Sequence, residues 1–272
     1  MTMLKRTIIL VACLAASACA TGRDGALPRP QEGKACPSNL SNEQELKLQM
    51  VQDLVAQGKL YAGLAQLDAL PEQSPPVIRQ RGDIQRRLGL SQEAGKNYEA
   101  LTRTCMAGYG EHGLGLLAAE QGDYASAEKY LKTAAAILPT NYRIRNDLGM
   151  AYMYNAEDEQ AHFELMTALE LGTGSDMLPA LNLLSLSLVR GDERQMNELV
   201  GRFQFSGDQV ADVMKHCSQI ATVRKSHMVV VKPGESLATA NAPAVVDDLS
   251  CQWKLVDNNP RLSSVIKGPK VK

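Results

Sequence analysis

Aromatic side chains are scarce in this chain: three Phe, eight Tyr and one Trp, 4% of 272 residues. That is too few to fill the interior of a typical β-sandwich. It suits helices packed through alanine and leucine. An excess of charge of either sign is also missing, with 29 basic against 30 acidic residues and a formal net charge of -1. Nothing in that balance points to nucleic acid as a partner. Long apolar runs are missing too. The longest, Thr7 to Ala18, is about 12 residues, short of the ~20 that a spanning helix needs. Metal spacings are absent: there is no C-x2-C and no H-E-x-x-H. The four histidines, His112, His162, His216 and His227, are scattered, and no Ser/His/Asp set accompanies them. An enzyme is therefore not expected, nor a cofactor, a metal or a small-molecule substrate. The remaining composition, 44% hydrophobic and 22% charged, is that of a folded chain.

What is present is a repeat. The stretch from Gly108, GYGEHGLGLLAAEQGDYASAEKYLKTAAAILPTN, lies over the stretch from Tyr142, YRIRNDLGMAYMYNAEDEQAHFELMTALELGT, at an offset of about 34 residues. Leu114-Gly115 falls on Leu148-Gly149, Ala118 on Tyr152, Ala127 on Ala161, Leu131 on Leu165 and Ala134 on Ala168. Pro139 closes the first unit, because proline cannot continue a helix. This skeleton resembles the tetratricopeptide repeat. The resemblance implies antiparallel helix pairs stacked into a right-handed superhelix, with each pair burying its apolar face against its neighbours. Gly115, Gly149, Ala127 and Ala161 are expected at close helix crossings, with Leu131 and Leu165 between units.

The same period extends in both directions. Leu46, Met50, Leu54 and Val55, then Leu60, Leu64, Leu67 and Leu70, mark a degenerate first unit. A second runs from about Pro75 to Ala107, with Gly82 in the Gly115 place and a turn at Gly89. Gly122-Asp123 turns the third unit and Asn155 is expected to turn the fourth. A fifth begins near Met177, and Asp208 is expected to cap a last helix that ends near Arg224. The expected fold is all-α: about five helix pairs plus a capping helix over residues 42–226, with a disordered N-terminal tether (19–41) and a mostly disordered tail (227–272). His227 to Lys232 reads as a β-like run within that tail. Trp253 either docks on the solenoid or a partner, or lies in an unstructured tail. Asp158 and His162 read as an i,i+4 surface pair.

Gly108, Gly110 and Gly113 spell G-x-G-x-x-G, but a dinucleotide loop must follow a strand. Here the preceding residues are helical in pattern and the repeat register puts the glycines at a helix start.

Residues 1–18 read as an export signal. Lys5 and Arg6 are followed by the apolar run and then by Ala16-Ser17-Ala18-Cys19. This resembles the lipobox of bacterial lipoproteins, which implies acylation of Cys19, and with Ala20 next to it sorting to the outer membrane. Leu10-Val11-Ala12-Cys13 is an alternative lipobox, and an ordinary secretory signal cut after Ala18 is another. Four cysteines then remain for an oxidising compartment. The preferred pairing is Cys36–Cys105 and Cys217–Cys251, each joining a flexible segment to a nearby helix; free buried thiols are the alternative.

In a tetratricopeptide stack, positions 2, 5, 9 and 12 of each unit usually face the concave groove. The resemblance places there Arg79, Asp83 and Arg86; Tyr109, His112 and Leu116; and Arg143, Asn146, Met150 and Met153. Arginines suit peptide carboxylates and methionines an adaptable surface. Signal, tether, repeats and tail together are similar to the TadD family, lipoproteins of tight-adherence (Flp) pilus assembly. That resemblance implies a non-catalytic, outer-membrane scaffold whose partner is a secretin or another pilus component. Type IV pilus pilotins and general periplasmic adaptors of cell-envelope synthesis share the plan.

Overall fold

Each helix pair in the computed structural model is closed by one left-handed residue, and these positions recur once per repeat. Residues 40–71, 73–172, 176–228 and 251 are described. Among them are eleven α-helices and no strand. The pairs are α1 (Asn42–Ala56) with α2 (Leu60–Leu67), α3 (Pro75–Arg87) with α4 (Ser91–Leu101), and α5 (Ala107–Glu120) with α6 (Tyr124–Ile137). They continue as α7 (Tyr142–Tyr154) with α8 (Asp158–Leu171) and α9 (Leu178–Arg190) with α10 (Glu193–Phe203). A longer helix, α11 (Gly207–Met228), follows.

Local chemistry sets the helix starts. Ser41 and Gln44 form a reciprocal capping box on α1. Asp123, Asn141 and Asp192 accept from the first free backbone N–H groups of α6, α7 and α10. Pro75 opens α3, where its missing N–H costs nothing. Gly58, Gly89, Gly122 and Gly191 hold the left-handed turn within their pairs, at φ 75, 76, 78 and 67. In the fourth pair the expected Asn155 does not: its φ is -79, and the left-handed residue is Ala156 at φ 62. The repeat register decides this, because Ala156 stands one period after Gly122. Asn155 instead donates to the Tyr124 carbonyl (3.2 Å) and to Glu128 (2.7 Å).

The small residues of the repeat sit where the helices cross. A Cβ at Gly115 would lie 2.7 Å from Leu131 Cγ, and one at Gly149 2.6 Å from Leu165 Cγ. Gly82 makes the same approach to Tyr98, at 2.9 Å. Ala127, Ala161, Ala134, Ala168 and Leu165 are wholly buried. The three glycines of G-x-G-x-x-G are all spent on packing within α5. Gly108 faces Leu138, Gly110 faces the α4 backbone, and Gly113 faces the Tyr98 ring. Tyr98 is thus clamped between Gly82 and Gly113, with its hydroxyl on Asp83 at 2.9 Å.

The C-terminal end departs from the expected plan. Ser206 and Gln209, not Asp208, make the reciprocal bonds that start α11. The helix runs to Met228, so His227 begins no strand. It packs against α9 and α7. Arg224, 5% exposed, donates from Nε to the Met153 carbonyl at 2.8 Å and pairs with Asp158. Asp158 is therefore not the partner of His162, whose ring meets Gln195 at 2.7 Å. Cys251 was expected in a disordered tail. It is buried among core residues, and its disulfide to Cys217 is the preferred pairing. A half-cystine inside an apolar cluster gains burial as well as loop closure. Cys105 is disulfide-bonded also. Its expected partner Cys36, together with Cys13, Cys19, the tether and Trp253, lies outside the described residues.

Candidate partner-binding groove

The first helices of the pairs, α3, α5 and α7, line one cleft of about 500 Å³, with Val55 of α1 at its edge. Of the ten expected groove residues, the cleft collects seven: Arg79, Asp83, Arg86, Tyr109, His112, Leu116 and Arg143. It adds Gln80, Arg87, Asn141 and Tyr142, which counting four positions per unit passes over. Arg87 and Tyr142 are sequence neighbours of the expected Arg86 and Arg143, and that adjacency was the available signal.

Asn146, Met150 and Met153 do not line this cleft. Met153 is wholly buried, with Arg224 of α11 on its carbonyl. Met150 is half-buried against the core. Asn146 is 3% exposed and accepts from Asn182 at 2.8 Å. It also donates to Asp147 at 3.1 Å, and Asp147 meets the His112 ring at 2.7 Å. These bonds join α5, α7 and α9 in one polar strut, which satisfies side chains that burial would otherwise penalise. For Met153 the cause is α11, which packs on α7 and α9; for Asn146 it is the bond to Asn182 of α9.

Within the cleft, the cations are held in place. The Arg79 guanidinium lies 3.7 Å from the centroid of the Tyr109 ring, and its Nε is 3.7 Å from Asp83. Arg143 donates from Nε to the Tyr142 hydroxyl at 3.1 Å, and that hydroxyl reaches Asp176 at 3.1 Å. Arg86 pairs with Glu120. Among the described residues Arg87 reaches only the Val55 carbonyl, at 3.4 Å. Burial pushes the Tyr98 hydroxyl pKa up, and the charge of Asp83 adds to it, so Tyr98 stays a neutral donor. Among the described residues no cluster of His, Cys, Asp or Glu could hold a metal. No helix among them is long and apolar enough to cross a membrane. The site offers hydrogen-bond donors and positive charge to a bound chain, with no nucleophile and base in contact.

Comparison with known proteins agrees with this architecture. The tetratricopeptide repeat family model matches residues 118–178. The TPR repeat-containing protein PA4299 of Pseudomonas aeruginosa is 41% identical over 202 residues, 74% of this chain and 79% of that protein. This chain belongs to the tetratricopeptide repeat family. The all-helical superhelix of such proteins is its fold. PilF of Pseudomonas aeruginosa shares that fold at a TM-score of 0.53 and 14% identity, covering 71% of this chain and 93% of PilF. TTC0263, a thermophilic TPR protein of Thermus thermophilus, does so at 0.51 and 20%, covering 68% and 97%. Tetratricopeptide proteins are in general non-catalytic scaffolds that bind protein partners.

Proposed function

We propose that the protein is a lipid-anchored scaffold of the cell envelope that seats a protein partner in the Arg79–Tyr109–Arg143 cleft. Its work is the assembly of a Flp-type pilus, by helping an outer-membrane secretin to localise or assemble. The observation that carries the reading is the cleft itself, built from three successive first helices and lined by oriented arginines and tyrosines. Disulfides at Cys217–Cys251 and at Cys105 support an oxidising compartment such as the periplasm. The lipobox at Cys19 supports the anchor, and the fold likeness to the pilus-related PilF is in keeping with the setting. The test is in-cell photocrosslinking from Tyr109 and Arg143, with the adducts identified by mass spectrometry. A secretin or pilus subunit is expected. A cell-wall enzyme would replace pilus assembly with a regulatory adaptor role, and no adduct from either position would remove the cleft as the site.

A further inference from the structure

We propose that the cleft selects an acidic, extended segment of its protein partner, and that Arg79, Arg87 and Arg143 read its carboxylates. The inference rests on the cleft's being the partner site and adds the chemistry of what enters it.

Charge comes first. Four arginines and one aspartate line the cleft. Asp83 is already engaged by the Tyr98 hydroxyl. Among the described residues, Arg87 and Arg143 make no ion pair, and the Arg79–Asp83 contact is long. Arg87 and Arg143 are both exposed. Arg86 is neutralised by Glu120 and adds no free charge.

Orientation comes next. The Arg79 guanidinium is fixed over the Tyr109 ring, and Arg143 spends its Nε–H on Tyr142. Its two terminal nitrogens stay available for the two-point pairing that a carboxylate accepts. Holding the forks beforehand removes part of the ordering cost that binding would otherwise carry. Arginine is suited to this and lysine is not, because only the planar fork matches a carboxylate at two points.

The alternatives fit less well. Strong phosphate-backbone binding needs many distributed cations, and this chain has a formal net charge of -1. A cleft of about 500 Å³ has the size of a pocket for a short stretch of chain.

The experiment uses the full-length chain and fluorescence anisotropy of a short labelled peptide that alternates glutamate and glycine. Matched glutamine and lysine peptides are run beside it, at about 0.05 and 0.3 M salt, between which the screening length falls from about 14 to about 6 Å. The glutamate peptide is expected to bind, weakened about 10-fold or more by Arg79→Gln with Arg143→Gln and by the higher salt. Arg143→Lys, which keeps the charge and loses the fork, is expected to fall between. Unchanged melting temperatures show that these surface variants fold. Equal binding of the glutamine peptide overturns the acidic preference and leaves the cleft as a site. Binding indifferent to the arginine variants overturns the assignment to these residues. No binding of any peptide, together with a partner crosslinked from Tyr109, also overturns the acidic preference alone. Failure of both peptide binding and crosslinking overturns the site itself. Preferential sedimentation with phosphatidylglycerol vesicles, lost in the arginine variants, would make the ligand a lipid surface and sink the proposal.

Discussion

Gly110→Ala tests the helix packing beneath the cleft with a single methyl group. A Cβ there would lie 2.7 Å from the Tyr98 carbonyl oxygen, 2.8 Å from the Thr102 nitrogen and 2.9 Å from Leu101 Cβ. Two of these are backbone atoms, so no rotamer change relieves the clash. Helices α4 and α5 must part instead. Overpacking of this kind costs about 1–3 kcal/mol, and a backbone obstruction puts it toward the upper end. Alanine recovers about 1 kcal/mol of helix propensity over glycine. The net expectation is a loss of about 1–2 kcal/mol, or roughly 2–8 °C in melting temperature for a domain of this size. Gly201, inside α10, has nothing within 4 Å of the same built Cβ. Gly201→Ala is therefore expected to gain about 1 kcal/mol, so the same substitution changes sign between two helices. Thermal melts followed by circular dichroism give the totals. Hydrogen exchange places the loss, since a solenoid opens locally. For Gly110→Ala the faster exchange should fall on α4 and α5. A melting temperature at or above wild type for Gly110→Ala would show that these helices do not cross as closely as described.

Other expectations follow from single contacts. Ala156→Gly relieves a left-handed alanine at φ 62, worth about 1–2 kcal/mol, against about 0.5–1 kcal/mol of added unfolded-state entropy; a denaturation midpoint below wild type would contradict this. His216 is packed against the Tyr154 hydroxyl (3.1 Å) and Ser185 (3.4 Å), and burial lowers its pKa below the ordinary value of 6.5. The folded state thus favours the neutral ring, so its contribution is present above the unfolded pKa and is lost as pH falls below it. Between pH 7.5 and 5 the wild-type melting temperature should fall more than that of His216→Gln; parallel curves would refute the cause. Reduction of Cys217–Cys251, or Cys251→Ser, should cost about 2–4 kcal/mol and raise exchange in α11 first. Exchange in α11 unchanged from wild type would show that the disulfide does not act on that helix. Cys19→Ser should abolish incorporation of labelled palmitate while Cys13→Ser leaves it; the reverse result would move the anchor to Cys13.

Much of the cleft was legible because its helices repeat. Arg79 and His112 stand at equivalent places in successive units, as do Tyr109 and Arg143, so one period fixes which way each faces. Tyr142 and Arg87 were missed because position counting ignores the neighbours that flank a groove residue, where a long side chain can still turn inward. Met150 and Met153 occupy groove positions by the same count, yet Met153 is wholly buried. No period announces that, because the segment that covers it begins about fifty residues later in the chain.

The sequence by itself determined the helix pairs and their crossings. Gly115 against Leu131 and Gly149 against Leu165 follow from spacings within one unit, where each residue's partner is set by helix geometry and a short turn. The tertiary structure alone decided where α11 goes. Its Arg224 reaches Met153 and Asp158 on the fourth pair. Those contacts join residues far apart in the chain. They are chosen by burial and charge pairing across the whole fold, and no local pattern encodes them.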